Sequence, residues 1–203
     1  MSGRIAIFCG HYGSGKSSLA VSYSLELAKN GIRTVLADMD IVNPYFRSAD
    51  YREYLSAHGV DVIASPYAGS NVDLPSLPSE LYSMFSETDR HFVLDVGGDD
   101  RGALALGRFR KLILEENDFN NYFVVNFYRP LTRDAESAFQ VMNEIYASCG
   151  IPFTSIINNS NLGAETNDFT LSGTIAEENK LCEISGLSVS YVPVDKSVIR
   201  GVF

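Results

Sequence analysis

The sequence predicts a three-layer α/β protein, a mostly parallel sheet carrying helices on both faces. Three observations carry that expectation. Short apolar runs alternate with helical stretches, the pattern that builds parallel sheets from strand–helix–strand units. The first apolar run leads directly into a Gly-rich octet that opens a helix. Polar residues suited to chemistry fall at predicted strand ends, where open parallel sheets collect ligands.

The elements follow in order. Residues 4–9 are a β-prone run, Arg4 to Cys9. A helix is expected over 18–30, with Leu19, Ala20, Tyr23, Leu27 and Ala28 as its apolar face and Asn30-Gly31 as its stop. Residues 34–37 form the second strand, Asn43-Pro44 breaks regular structure, and 47–57 reads as a short helix before a third strand at 60–64. The stretch 65–78, rich in Ser, Pro, Gly and Asn, reads as a long solvated loop. Residues 80–86 suggest a helix and 91–94 a clear strand. A helix at 102–116 has Leu104, Leu106, Phe109, Leu112 and Ile113 as its apolar members. Strands at 122–126 and 153–157 flank a helix at 133–147, and a helix at 175–184 with a strand at 189–192 completes the pattern.

The octet Gly10, His11, Tyr12, Gly13, Ser14, Gly15, Lys16 and Ser17 fits G-x-x-x-x-G-K-[ST], the phosphate-binding loop. Its glycines let successive N–H groups turn inward around an anion, and the helix that follows adds its N-terminal donors. Lys16 is expected over the β- and γ-phosphates, a catalytic position, with Ser17 completing a Mg²⁺ shell and Ser18 at the helix start. An ordinary Gly-rich turn with an exposed lysine is the competing account. The flanking strand and helix argue against it.

Asp95 closes a strand and is followed by Gly97-Gly98, which reads as the acid that reaches Mg²⁺ and the glycines that respond to a γ-phosphate. Asp38 and Asp40 lie two apart on an extended chain and so point the same way. Asp40 is assigned to orienting the attacking water, and Asp38 to the water shell of the metal. Asn158 and Asn159, at another strand end, suit purine recognition, since a side-chain amide pairs with N6 and N7 of adenine. The run Asn158-Asn159-Ser160-Asn161 holds no carboxylate for guanine, so ATP with Mg²⁺ is the expected cofactor pair. His58 and His91 read as structural.

Length and composition set the outer limits. The 203 residues suit one domain with a substantial core. No apolar run reaches membrane-spanning length and the start does not resemble a secretory signal. Cys9, Cys149 and Cys182 are scattered and odd in number, which favours buried thiols over metal or redox roles. A cytoplasmic location is expected. With 25 acids against 16 bases and a net charge of −9, the surface repels nucleic-acid backbones, so no nucleic-acid partner is expected.

On these residues the chain resembles the MinD/ParA-type P-loop ATPases, within the CobQ/CobB/MinD/ParA group of the SIMIBI class. The resemblance runs from the loop through Asp38-Met39-Asp40, Asp95-Val96-Gly97-Gly98 and Asn158-Asn159 to Val192-Pro193-Val194. It implies an ATP-driven switch with slow hydrolysis, ATP and ADP as ligands, a nucleotide-sandwich homodimer and a protein partner not identified by the sequence. His11 and Tyr12 stand where the family motif has its first lysine and glycine. His11 thus replaces the cation that crosses to the partner's phosphates in that family. The last residues, 196–203, are too short for the amphipathic membrane helix of MinD-like members, which leaves C-terminal truncation open. Two alternatives remain: an ATP-dependent phosphotransferase or ligase on a small metabolite, as in dethiobiotin-synthetase-like relatives, using 65–78 or the segment around Arg101 and Arg129; or a nucleotide-binding scaffold without useful hydrolysis.

Overall fold

In the computed structural model the described residues are 3–40, 52–64 and 79–193. The expected break at Asn43-Pro44, the first part of the helix at 47–57, the loop at 65–78 and the residues from Val194 onward lie outside them. Six parallel strands form one sheet: β1 (Ile5–Cys9), β2 (Thr34–Asp38), β3 (Val60–Ala64), β4 (His91–Asp95), β5 (Phe119–Val125) and β6 (Ser155–Asn158), in the spatial order β3-β2-β4-β1-β5-β6. The strand that leads into the Gly-rich loop is therefore central. It has the Asp95 strand on one side and β5 on the other.

Every residue of β1 and β2 is buried. That explains why they read as unbroken apolar runs, since both faces are covered. Side chains nevertheless alternate. Ile5, Ile7 and Cys9 join Phe92, Leu94, Phe123 and Val125 on one face, against Leu106, Phe109, Ile113, Ala138 and Met142. Ala6 and Phe8 join Leu36, Val93, Tyr122 and Val124 on the other, under Leu19, Ala20, Tyr23 and Leu27 of α1 (Lys16–Lys29). The Phe8 ring meets Tyr23 edge-on at 5.7 Å and Tyr122 at 5.3 Å. Each such buried ring contributes about 1.5–3 kcal/mol relative to exposure.

The first face is roofed by α3 (Asp100–Gly107), α4 (Arg110–Glu116), α5 (Ala135–Cys149) and α7 (Ile175–Ser185), while α2 (Arg52–Ala57) packs beside β3. The expected single helix at 102–116 is two. Phe109, with φ −95° and ψ 0°, separates them and drives its buried ring inward. Asp99 starts α3 by accepting a hydrogen bond from Gly102 N, and Asp134 starts α5 by accepting one from Ser137 N. That cap places the start of α5 after Arg133 rather than on it. The expected strand at 189–192 reduces to a single bridge between Val189 and Ile156, made by Ile156 N to Ser188 O and Ser190 N to Ile156 O. A short helix, α6 (Asp168–Ser172), held by a capping box from Asn167, was not expected.

Candidate functional site

The loop after β1 folds into a cradle whose shape depends on close backbone approach. Gly13 and Gly15 have φ of 75° and 87°, which L side chains rarely adopt. A β-carbon on Gly10 would lie 2.2 Å from the Val124 carbonyl oxygen, and one on Gly15 would lie 2.3 Å from Asn159 Nδ2. Three donors brace the loop. Asn159 Nδ2 donates to Ser14 O (2.7 Å), Arg129 Nε to Gly13 O (3.0 Å) and Lys16 Nζ to His11 O (3.0 Å). No side chain caps the N-terminus of α1, which leaves that end of the helix dipole facing the loop.

The carboxylates arrive by register. Asp38 of β2 stands beside Asp95 of β4, and Met39 N donates to Asp95 O (2.9 Å). Asp38 Oδ1 accepts from Asp40 N (3.0 Å), which turns Asp40 onward toward the loop. Asp95 is only 1% exposed. Burial first, and then the nearby Asp38, push its carboxyl up to about 7, while the Ser17 hydroxyl and Lys16 pull it back. Neither Asp95 oxygen completes a hydrogen bond among the described residues. Burial also pulls the Lys16 ammonium below its ordinary value, opposed most strongly by Asp95.

A buried carboxylate with unsatisfied oxygens, next to a hydroxyl, fits a divalent cation. No group of three or more His, Cys, Asp or Glu suited to a metal forms among the described residues. The donor set therefore suits Mg²⁺ that takes the rest of its shell from phosphate and water, rather than a metal caged by protein.

A cavity of about 530 Å³ opens over this cradle. His11, Tyr12, Gly13, Gly15, Lys16, Ser17, Ser18 and Asp40 border it. Gly10, Ser14, Asp38 and Asp95 are not among the lining residues, and all four are buried. Tyr12 is 61% exposed. Gly98 also borders the cavity, and a β-carbon there would sit 2.6 Å from Tyr12 N and 2.9 Å from Lys16 Nζ. The loop after β4 thus touches the cradle through bare backbone.

The two asparagines separate. Asn158 is committed elsewhere: its Nδ2 donates to Thr174 Oγ1 (3.0 Å) and Glu178 Oε2 (2.8 Å), and its Oδ1 accepts from Ser160 N and Oγ. Both amide hydrogens and both carbonyl lone pairs of Asn158 are thus engaged within the protein. Asn159 braces the loop, and the residue that borders the cavity is Asn161. Pro130 and Leu131, beyond the end of β5, also border it and were not expected. The rule that ligands gather past the carboxyl ends of strands was the one signal for them. Arg101, by contrast, lies outside the lining. Cys9 and Cys149 are buried, whereas Cys182 is half-buried.

The cradle and the parallel sheet together define the α/β P-loop NTPase fold. No protein-family model and no curated protein matches the chain. Among solved structures it is similar to the cell division protein FtsY from Thermotoga maritima, with a TM-score of 0.63 and 15% identity over 96% of this chain and 63% of that one. It is likewise similar to the signal recognition particle 54 kDa protein from Aeropyrum pernix in complex with GDP, with a TM-score of 0.61 and 15% identity over 98% of this chain and 43% of that one. A nucleotide-binding protein from Archaeoglobus fulgidus in complex with ADP gives 0.54 and 14% identity, over 98% of this chain and 84% of that one. The chain thus spans less than two thirds of the first two. The likeness is one of fold alone, and it does not single out the MinD/ParA group. No helix among the described residues is long and apolar enough to cross a membrane.

Proposed function

We propose that the chain binds a Mg²⁺–nucleoside triphosphate in the cavity over Gly10 to Ser18 and works as a nucleotide-dependent switch with slow hydrolysis. One observation carries the reading: a buried Lys16 and a buried, unsatisfied Asp95 meet at the base of a phosphate cradle. Ser17 and Asp95 would hold the metal, with Asp38 acting through water, and the ion would neutralise developing phosphate charge. Lys16 is parked on the His11 carbonyl and would transfer to the β- and γ-phosphate oxygens when these arrive. Asp40, on the cavity wall, would orient water for attack on the terminal phosphate.

The switching element is the pair of strand-tip loops. A β-carbon on Gly97 would lie 3.3 Å from the Asp40 carboxylate, and Gly98 abuts Tyr12 and Lys16. A group that pulls on Gly98 therefore also moves Asp40. ATP is the nucleotide we commit to. Asn161 borders the cavity and keeps one amide N–H and one carbonyl lone pair beyond its bonds to Asn159 O and Gly163 N, and the run 158–161 brings no carboxylate for the guanine ring donors. A homodimer and a protein partner that accelerates turnover remain part of the MinD/ParA-like reading.

Lys16→Ala tests the site. It should abolish Mg-ATP binding by isothermal titration calorimetry, and unchanged affinity would remove the nucleotide reading altogether. Competition of GTP against bound ATP tests the base: weaker displacement by GTP is expected, and tighter displacement would reverse the assignment.

A further inference from the structure

We propose that Arg129 is a phosphate-contacting residue, a guanidinium supplied from beyond the chain's own β5 that grips the nucleotide's phosphate chain alongside Lys16. The inference rests on the nucleotide site proposed above and names a second cation in it. Arg129 is fixed at its root. Its N–H donates to Asn126 O (3.1 Å), its carbonyl accepts from Thr132 N (3.1 Å), and the neighbouring Tyr128 N donates to Asn126 Oδ1 (2.9 Å). Asn126 itself is fully buried. From that anchor the side chain lies across the Gly-rich loop, with Nε on the Gly13 carbonyl. Nε and Cζ would stand 3.2 and 3.6 Å from a β-carbon at Gly13, so the bare backbone there gives the guanidinium its close approach.

What Arg129 lacks is an acid. Arg4, Arg33, Arg90 and Arg133 each pair with a carboxylate; among the described residues Arg129 shares the lack of such a pair with Arg52, Arg101, Arg108 and Arg110, and of these five only Arg129 borders the cavity over the Gly-rich loop. Its two terminal nitrogens make no hydrogen bond among the described residues either. Exposed at the rim of the same cavity as Lys16 and Ser17, its terminal nitrogens are placed to turn toward an anion that enters. The planar fork suits two phosphate oxygens at once. Lys16 alone is surrounded by Asp95, Asp40 and Asp99, so a polyphosphate entering here needs positive charge from another wall. Arg129 provides it within one chain.

A merely structural Arg129 would brace Gly13 and nothing more, and the variants separate the two roles. Arg129→Gln keeps a side-chain N–H for the Gly13 carbonyl but removes the charge. Arg129→Lys keeps the charge. Affinities of the 203-residue chain for Mg-ATP, Mg-ADP, Mg-GTP and Mg-GDP are measured by calorimetry for both variants, with melting temperatures as a check on folding. Arg129→Gln should lose tenfold or more for the better-bound triphosphate and clearly less for its diphosphate, while Arg129→Lys stays within about threefold of wild type. Wild-type affinity in Arg129→Gln, or equal losses in the two variants, would overturn the proposal. Lys16→Ala in the same series locates the failure. If it loses binding while Arg129→Gln does not, only the role of Arg129 falls. If neither variant changes affinity, the nucleotide site falls with it.

Discussion

Asp95 makes the ligand-free protein less stable wherever it is ionised. In the unfolded chain its carboxyl titrates near 3.8, and in the fold burial and Asp38 push it up to about 7. Between those values the folded state binds more protons than the unfolded one, so stability falls as pH rises through that window and is level above it. The difference corresponds to about 4 kcal/mol at most. Asp95→Asn removes the titration but also takes from Lys16 its strongest counter-charge, so only part is recovered. Thermal melts without nucleotide should show the variant above wild type at pH 8, by about 2–4 °C for each kcal/mol recovered. The gap should close toward pH 4. A wild-type melting temperature that does not fall between pH 5 and pH 8 would mean that water, or a bound cation, already satisfies this carboxylate.

Among the elements, the turn at Phe109 is the most informative. Its side chain is buried between Tyr82, at 5.0 Å between ring centroids, and Phe85, at 6.2 Å. The ring thus ties α3 and α4 to the short helix Ser79–Phe85. Phe109→Ala should cost about 3–5 kcal/mol, read from the urea midpoint with an unchanged slope. Leu104→Ala, at a site 58% exposed, should stay within about 0.5 kcal/mol. Apolar spacing alone put both residues on one helix face. The strands were legible because burial on both sides writes itself as a continuous apolar run, and β3 fell on its expected residues. The break at Phe109 was not, because nothing local marks it: the ring's partners come from another segment. Gly107 shows the same limit. A β-carbon there would lie 3.2 Å from the Ser148 carbonyl, a contact set by α3 packing on α5 and invisible in the residues around it.

For the whole molecule, the sheet order decides which distant residues share the site. The Gly-rich strand-to-helix loop was legible because its pattern is encoded within eight consecutive positions. Arg129 reaches Gly13 across 116 residues only because β5 lies beside β1, and sequence spacing does not report that neighbour. The partners of Asn158 are equally hidden from local sequence, since Thr174 and Glu178 of the following helical segment accept from its amide. The same order gathers Asp40, Asp95 and Asp99 near one buried lysine, with Asp38 beside Asp95, in a molecule already carrying a net charge of −9. An anionic nucleotide without a cation adds repulsion there, and a cation without phosphate finds too few ligands. Metal and nucleotide should therefore stabilise the fold only together. At a hundredfold excess over the dissociation constant, a ligand specific for the folded state adds about 2.7 kcal/mol, or roughly 5–10 °C in a chain of this size. Differential scanning fluorimetry should show that rise with Mg-ATP, and little change with Mg²⁺ alone or with ATP in EDTA. An equal rise with ATP in EDTA would mean that Asp95 and Ser17 do not hold a metal, and that the cradle binds phosphate through Lys16, Arg129 and backbone amides alone.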